Sequence, residues 1–193
     1  MINIFTNLQP PLQALIASLF TWGITSLGAA VVFLFKRVNK TTLDAMLGLS
    51  AGVMLAATFF SLIAPALDMA ENLHLIPWLI VSLGVLSGGL LLFLGDKIFS
   101  KLTEKKTNSH SIKRCLMLIF SITLHNIPEG MAIGVAFGSV FYHLDGSTLW
   151  ASVMLAIGIG IQNFPEGSSV SLPLRREGMS PKLAFIFGSL SGI

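Results

Sequence analysis

Charge is what this chain has least of. Only 11% of its 193 residues are Asp, Glu, Lys or Arg, whereas 53% are hydrophobic and the mean hydropathy is +0.81. A soluble domain carries about a quarter charged residues, so a water-solvated surface is excluded and a helical membrane protein is left. Cysteine is nearly missing as well. Cys115 stands alone, which excludes an intrachain disulfide and a thiolate-rich metal site. No basic residue precedes Lys36, so the N-terminus lacks the basic region of a cleavable signal peptide. A phosphate-cradling glycine loop is also lacking, and with it any sign of ATP chemistry.

What is present is length in apolar runs. About 20 helical residues span a hydrocarbon core, and five stretches satisfy this: residues 11–35, 43–66, 76–99, 115–137 and 148–172. A sixth begins near Pro181 and is still apolar at Ile193. The expected fold is all-α: a polytopic transmembrane helix bundle with five full spans and the start of a sixth, forming a single membrane domain over 1–193. Short connections make consecutive helices antiparallel. The polar segment from Ser100 to Arg114 reads as a loop.

All 12 basic residues fall in alternate connections: Lys36, Arg37 and Lys40 in the first, six residues from Lys97 to Arg114 in the third, and Arg175, Arg176 and Lys182 in the fifth. Basic residues mark the cytoplasmic side. The N-terminus is therefore expected outside, with 100–114 in the cytoplasm. The pI of about 9.3 is explained by topology, and nucleic acid is not an expected partner. Four glycine pairs at GxxxG spacing (Gly48/Gly52, Gly84/Gly88, Gly134/Gly138, Gly188/Gly192) suggest a closely packed bundle.

The fourth span contains His125-Asn126-Ile127-Pro128-Glu129-Gly130, and the fifth contains Gln162-Asn163-Phe164-Pro165-Glu166-Gly167. This internal repeat places two carboxylates, Glu129 and Glu166, at mid-span. An uncompensated charge there costs about 3 kcal/mol or more, and no Lys or Arg lies at that depth. The available counter-charges are a bound cation or protons. The i,i+4 spacing sets His125 beside Glu129 and Gln162 beside Glu166 on one face of each helix. Asn126 and Asn163 lie about 100° around. Pro128 and Pro165 each remove a donor and should kink their helices. Imidazole, carboxylate and amide donors suit a first-row divalent metal such as Zn²⁺, Fe²⁺ or Mn²⁺. Structural packing of neutral glutamates is the plainer alternative. Two functional alternatives are an intramembrane metalloenzyme, against which the missing His-Glu-x-x-His stands, and a proton-coupled transporter without metal.

The paired His-Asn-x-Pro-Glu-Gly and Gln-Asn-x-Pro-Glu-Gly motifs in tandem spans resemble the ZIP family of zinc and iron transporters, in its bacterial branch. The resemblance implies a transporter and no enzyme: divalent cations, zinc foremost and also iron, manganese or cadmium, would be substrate toward the cytoplasm without a catalytic cofactor. It implies that His125, Asn126, Glu129, Gln162, Asn163 and Glu166 are metal-site residues, the two glutamates bridging two metals. It also points to Met54 as a methionine approaching the metal and to Asp68 as an entrance acid. Read independently of the resemblance, Met54 is as consistent with packing, His110 reads as a solvated loop residue or weak metal contact, and His74 and His143 as ordinary outer-loop residues. The family has eight spans, with a further metal-site glutamate on the sixth, so the chain reads as truncated within its sixth helix. Elevator-like motion of helices one, four, five and six is implied. The expected setting is the inner (plasma) membrane, crossed several times, with divalent cations, the bilayer and a second copy in a homodimer as partners.

Overall fold

The computed structural model describes residues 5–36, 38–104, 110–144 and 146–193, with the side chains at 104, 110 and 111 outside the description. Among the described residues there is no strand. Helix α1 runs Pro10–Ala30 and tightens into a 3₁₀ turn at Val31–Leu34. Helix α2 is Lys40–Asn72, α3 is Pro77–Glu104, α4 is His110–Phe141, α5 is Leu149–Arg176 and α6 is Pro181–Leu190.

The starts of these helices follow from local chemistry. Asn39, Thr148 and Ser180 each accept a hydrogen bond from the backbone three residues on, satisfying an orphan N–H. Pro10, Pro77 and Pro181 occupy first helical positions, where a missing N–H costs nothing. Inside α2, Pro65 withdraws a donor, and the preceding residues Thr58–Ile63 widen into a π-helical segment. Helix α4 runs unbroken through Pro128, and α5 through Pro165 and Pro173.

The helices exceed the apolar stretches that announced them. Of the expected loop at 100–114, helix α3 occupies the beginning to Glu104 and α4 the part from His110. Only 105–109 falls between them, outside the described residues, as does the His110 side chain. Apolarity bounds the part of a helix that lies in hydrocarbon, whereas backbone hydrogen bonds carry the helix on into water.

Among the described residues, four helices are long and apolar enough to cross a membrane: Pro10–Leu34, Lys40–Asn72, Pro77–Thr103 and Ile112–Phe141. Helix α5 has 28 residues, ample length, but its Gln, Asn, Glu and Ser side chains keep it out of that set. Its polarity matches its position. It packs against α1, α2, α4 and α6, and its interface with α1 is the most extensive in the molecule. Gln162, Asn163, Glu166, Ser168, Ser169 and Ser171 are all buried on it. The outer helices are built the other way. Helix α3 has no buried residue in its apolar window, and Leu86, Leu90 and Phe93 stand open, as lipid-facing side chains do. In α1 the buried face is Gln13, Ala17, Thr21, Thr25 and Gly28, while Leu15, Leu19 and Leu27 point outward.

Contacts between helices fix their directions. Ser152 Oγ on α5 donates to Ala136 O on α4 at 2.8 Å, and Gln162 reaches Glu129; rising numbers on one helix meet falling numbers on the other, so they are antiparallel. Helices α1 and α5 run side by side in the same direction, Gly160 against Phe20 and Gly167 against Thr25. That approach is backbone to backbone. A methyl at Gly28 would collide with the Phe164 carbonyl, and one at Gly167 with the Thr25 carbonyl. Among the GxxxG pairs, Gly188 and Gly192 lie close to the side chains of Ala29 and Thr25, whereas Gly48, Gly52, Gly84, Gly88, Gly134 and Gly138 face open space within the described chain.

Two apolar clusters bracket a polar layer. One gathers Val32, Leu43, Val170, Leu172, Leu174 and Ala184 toward the end where Arg175 bonds Lys36 O at 3.3 Å and Arg114 pairs with Glu177. The other gathers Ala17, Ile133, Phe137, Ala156 and Ile159 toward the opposite end, where Asn72 packs at the Gly146 turn.

Candidate metal site

The polar layer is made where α4 and α5 cross with α1 alongside. Helical spacing puts His125 and Glu129 one turn apart, and the His125 Nε2 to Glu129 Oε1 distance is 3.5 Å. From α5, the Gln162 side-chain N–H donates to the same Glu129 Oε1. The Asn163 amide satisfies its surroundings with its nitrogen turned toward Glu129. Nδ2 then donates to Glu129 Oε2 at 3.2 Å and to Ile159 O at 2.9 Å, and Oδ1 accepts from Thr25 Oγ1 at 3.1 Å. Glu129 is thus held at both oxygens by amides of the other helix.

Glu166 is different. It is fully buried, and neither carboxylate oxygen has a hydrogen-bond partner among the described residues. The Asn126 side chain lies alongside it. Asn126 itself donates from Nδ2 to Ser191 O at 2.7 Å, and its Oδ1 is buried without a partner. Two carboxylates and an amide oxygen therefore converge with three acceptor atoms unsatisfied, flanked by apolar clusters. Low polarity magnifies the penalty on each. A cation bound among them removes it, and the hard, mixed O/N donor set suits a first-row divalent ion.

Six of the seven residues singled out in the sequence, His125, Asn126, Glu129, Gln162, Asn163 and Glu166, lie in this one layer. The His125 side chain is 40% exposed. Among the described residues, no three of His, Cys, Asp and Glu stand together as a ligand group, so amide oxygens are needed to complete one. Met54 sits half-buried on α2, its sulfur accepting from Ser50 Oγ of the same helix at 3.6 Å. Asp68 is exposed near the far end of α2.

Sequence reasoning missed the contribution of α1. Thr21, Thr25 and Trp22 line or support the layer, Trp22 donating from Nε1 to Ser189 O at 2.9 Å. A cavity of about 320 Å³ bordered by Thr21, Trp22, Asn126, Glu129, Asn163 and Gly192 opens beside it. The signal was available: small and polar residues recur every fourth position in α1 among bulky apolar ones, the face that packs inward in a membrane bundle.

Comparison with known proteins agrees with this architecture. The profile of the family described as ZIP Zinc transporter matches residues 9–116. Zinc transporter ZIP11 of Xenopus tropicalis is 33% identical, the match covering 96% of this chain and 77% of the relative. Zinc transporter GufA of Myxococcus xanthus is 33% identical over 93% of this chain and 70% of its own length. Zinc transporter ZIPB of Bordetella bronchiseptica is 36% identical over 60% of this chain and 40% of its own. The extent of the profile match and the identity sustained along nearly the whole chain show that this chain belongs to the ZIP zinc transporter family.

Proposed function

We propose that this chain transports divalent metal cations, zinc foremost, across a membrane toward the cytoplasm, through the layer between α4 and α5. The observation that carries the proposal is the pair Glu129 and Glu166. They are buried in facing helices, with no Lys or Arg anywhere in either motif, so a passing cation is the natural counter-charge. The names of the relatives support zinc. The donor set of His125, Asn126, Glu129, Gln162, Asn163 and Glu166, with Met54 approaching from α2, admits iron, manganese and cadmium too. The metal is cargo, and no catalytic cofactor is assigned.

In this reading α5 is the fifth crossing, its polarity carried inside the bundle. The N-terminus is outside, the basic ends of the helices are in the cytoplasm, and the host is the inner (plasma) membrane. The close glycine contacts joining α1, α5 and α6 support their moving together with α4 against α2 and α3, exposing the site to each side in turn. A homodimer is the proposed assembly. A transporter is proposed over an enzyme because the layer offers ligands and no nucleophile paired with a base.

The test is radiolabelled zinc uptake into liposomes carrying the protein, with competition by Fe²⁺, Mn²⁺ and Cd²⁺. Saturable uptake that Glu129→Ala or Glu166→Ala abolishes supports the proposal. Uptake undiminished in both variants sinks it.

A further inference from the structure

The cavity beside the polar layer joins two unlike surfaces. Its inner end is polar. Glu129 borders it, and so does Asn126, whose buried Oδ1 has no hydrogen-bond partner among the described residues. Its outer wall includes Leu15 and Leu19 of α1, which are 53% and 52% exposed on the side that meets lipid. Ile133 and Ile159 add to the apolar lining, and Trp22 stands among them with its ring fixed by the bond to Ser189 O. The cavity thus leads from the lipid-facing side of the bundle to a carboxylate.

That outer wall decides what can enter. A hydrated divalent cation has no route through hydrocarbon, where even a single charge costs about 3 kcal/mol or more. A molecule already dissolved in the bilayer meets no such barrier. The inner end decides its head group. A carboxylate offers about four acceptor positions and no donor, and the Asn126 N–H is spent on Ser191 O. An ammonium group brings positive charge and three donors, whereas an anionic head would be repelled by Glu129. The face of Trp22 adds a cation–π attraction. Size sets the chain length. At about 30 Å³ for each water-sized group, the cavity of about 320 Å³ holds roughly ten such groups, which suits a primary amine with a chain of about eight carbons.

We propose that this cavity binds amphiphilic primary amines that enter from the membrane, and that an amine seated there occupies Glu129 and excludes the metal. The exclusion rests on the proposed reading of the α4–α5 layer as a divalent-cation site. The amine site itself does not.

Octylamine is the probe, and octanol, of equal length without the charge, is its control. Trp22 reports occupancy directly, because with Trp78→Phe and Trp150→Phe it is the sole tryptophan. In the purified full chain in lipid nanodiscs, a brominated octylamine should quench Trp22 saturably, at a concentration about tenfold below that needed for the brominated alcohol. Glu129→Gln keeps the shape of the side chain, removes its charge and should erase that preference. Ser18→Phe fills the cavity from α1, where Ser18 lines it, and should abolish saturable quenching. In a Zn²⁺ titration, octylamine at four times its own Kd should raise the apparent Kd for zinc about fivefold in the wild type and leave it unchanged in Ser18→Phe. A general effect of positive charge in the membrane would act on both alike.

Quenching that does not saturate, equal action of amine and alcohol, or an amine effect that survives Ser18→Phe overturns the proposal. Should Ser18→Phe fail to fold, the loss of preference in Glu129→Gln still decides it. Saturable quenching that leaves zinc affinity unchanged overturns the exclusion of metal. A wild type that binds no Zn²⁺ sinks the metal reading instead, and the quenching still decides the amine site.

Discussion

Gln162 on α5 donates its side-chain N–H to Glu129 on α4, across the interface of two antiparallel helices. The two repeated motifs therefore meet. Each supplies what the other lacks: α4 brings the carboxylate that is held, and α5 the amides that hold it together with the fully buried Glu166.

One shared site makes losses non-additive. Glu129→Ala and Glu166→Ala are each expected to reduce metal affinity to near background, and the double variant to be little worse than either. A double-mutant cycle on zinc affinity, with membrane insertion verified for each variant, checks this. Losses that simply add would mean two independent sites.

Metal binding should release protons. A carboxylate ligand must be deprotonated to bind, so affinity falls as pH falls and protonation competes with the cation. Calorimetry at neutral and mildly acidic pH, in buffers of different ionisation enthalpy, reads the number of protons released. A count of zero at both values would remove Glu129 and Glu166 from the ligand set.

The close α1–α5 contact predicts a contrast between two glycines. Alanine is favoured over glycine in a helix by about 1 kcal/mol. At Gly134 nothing stands near an added methyl, so Gly134→Ala should be neutral or stabilising by up to about 1 kcal/mol. At Gly167 the methyl meets the Thr25 carbonyl, and Gly167→Ala should be destabilising by about 1–3 kcal/mol. Thermal unfolding in one detergent, compared across the three proteins, measures the difference.

The charge distribution predicts sidedness. In a Cys115→Ser background, Leu75→Cys lies at the acidic end of the bundle and Lys182→Cys at the basic end. Both positions are exposed. An impermeant thiol reagent applied to intact cells should label position 75 only. Labelling at 182 instead reverses the proposed orientation.

Much of this was legible in the chain. Scarcity of charge dictated helices in lipid, because only there are apolar surfaces stable and backbone groups satisfied within each segment. The repeated Pro-Glu-Gly motifs identified the buried carboxylates, since an acid at mid-span needs a partner. The sequence was less informative about α5 because hydropathy measures the solvent a segment prefers, whereas α5 is surrounded by protein. Its serines and amides are buried against α1, α2, α4 and α6. Spacing alone likewise singled out Gly134/Gly138 and overlooked Gly28 with Gly167, because a glycine matters only when another backbone is brought against it.

The sequence by itself thus determined the all-helical membrane class, the end at which positive charge collects and the identity of the carboxylate layer. Each follows from composition or from spacing within one helix, and those properties are local. Only the tertiary structure decided that α1 supplies the third wall, that Thr25 reaches Asn163, and that both amides of α5 converge on Glu129. These relations join residues more than 30 positions apart in the chain. They depend on the rotation of each helix about its axis, which is set by small residues letting backbones touch and not by any pattern within a single segment.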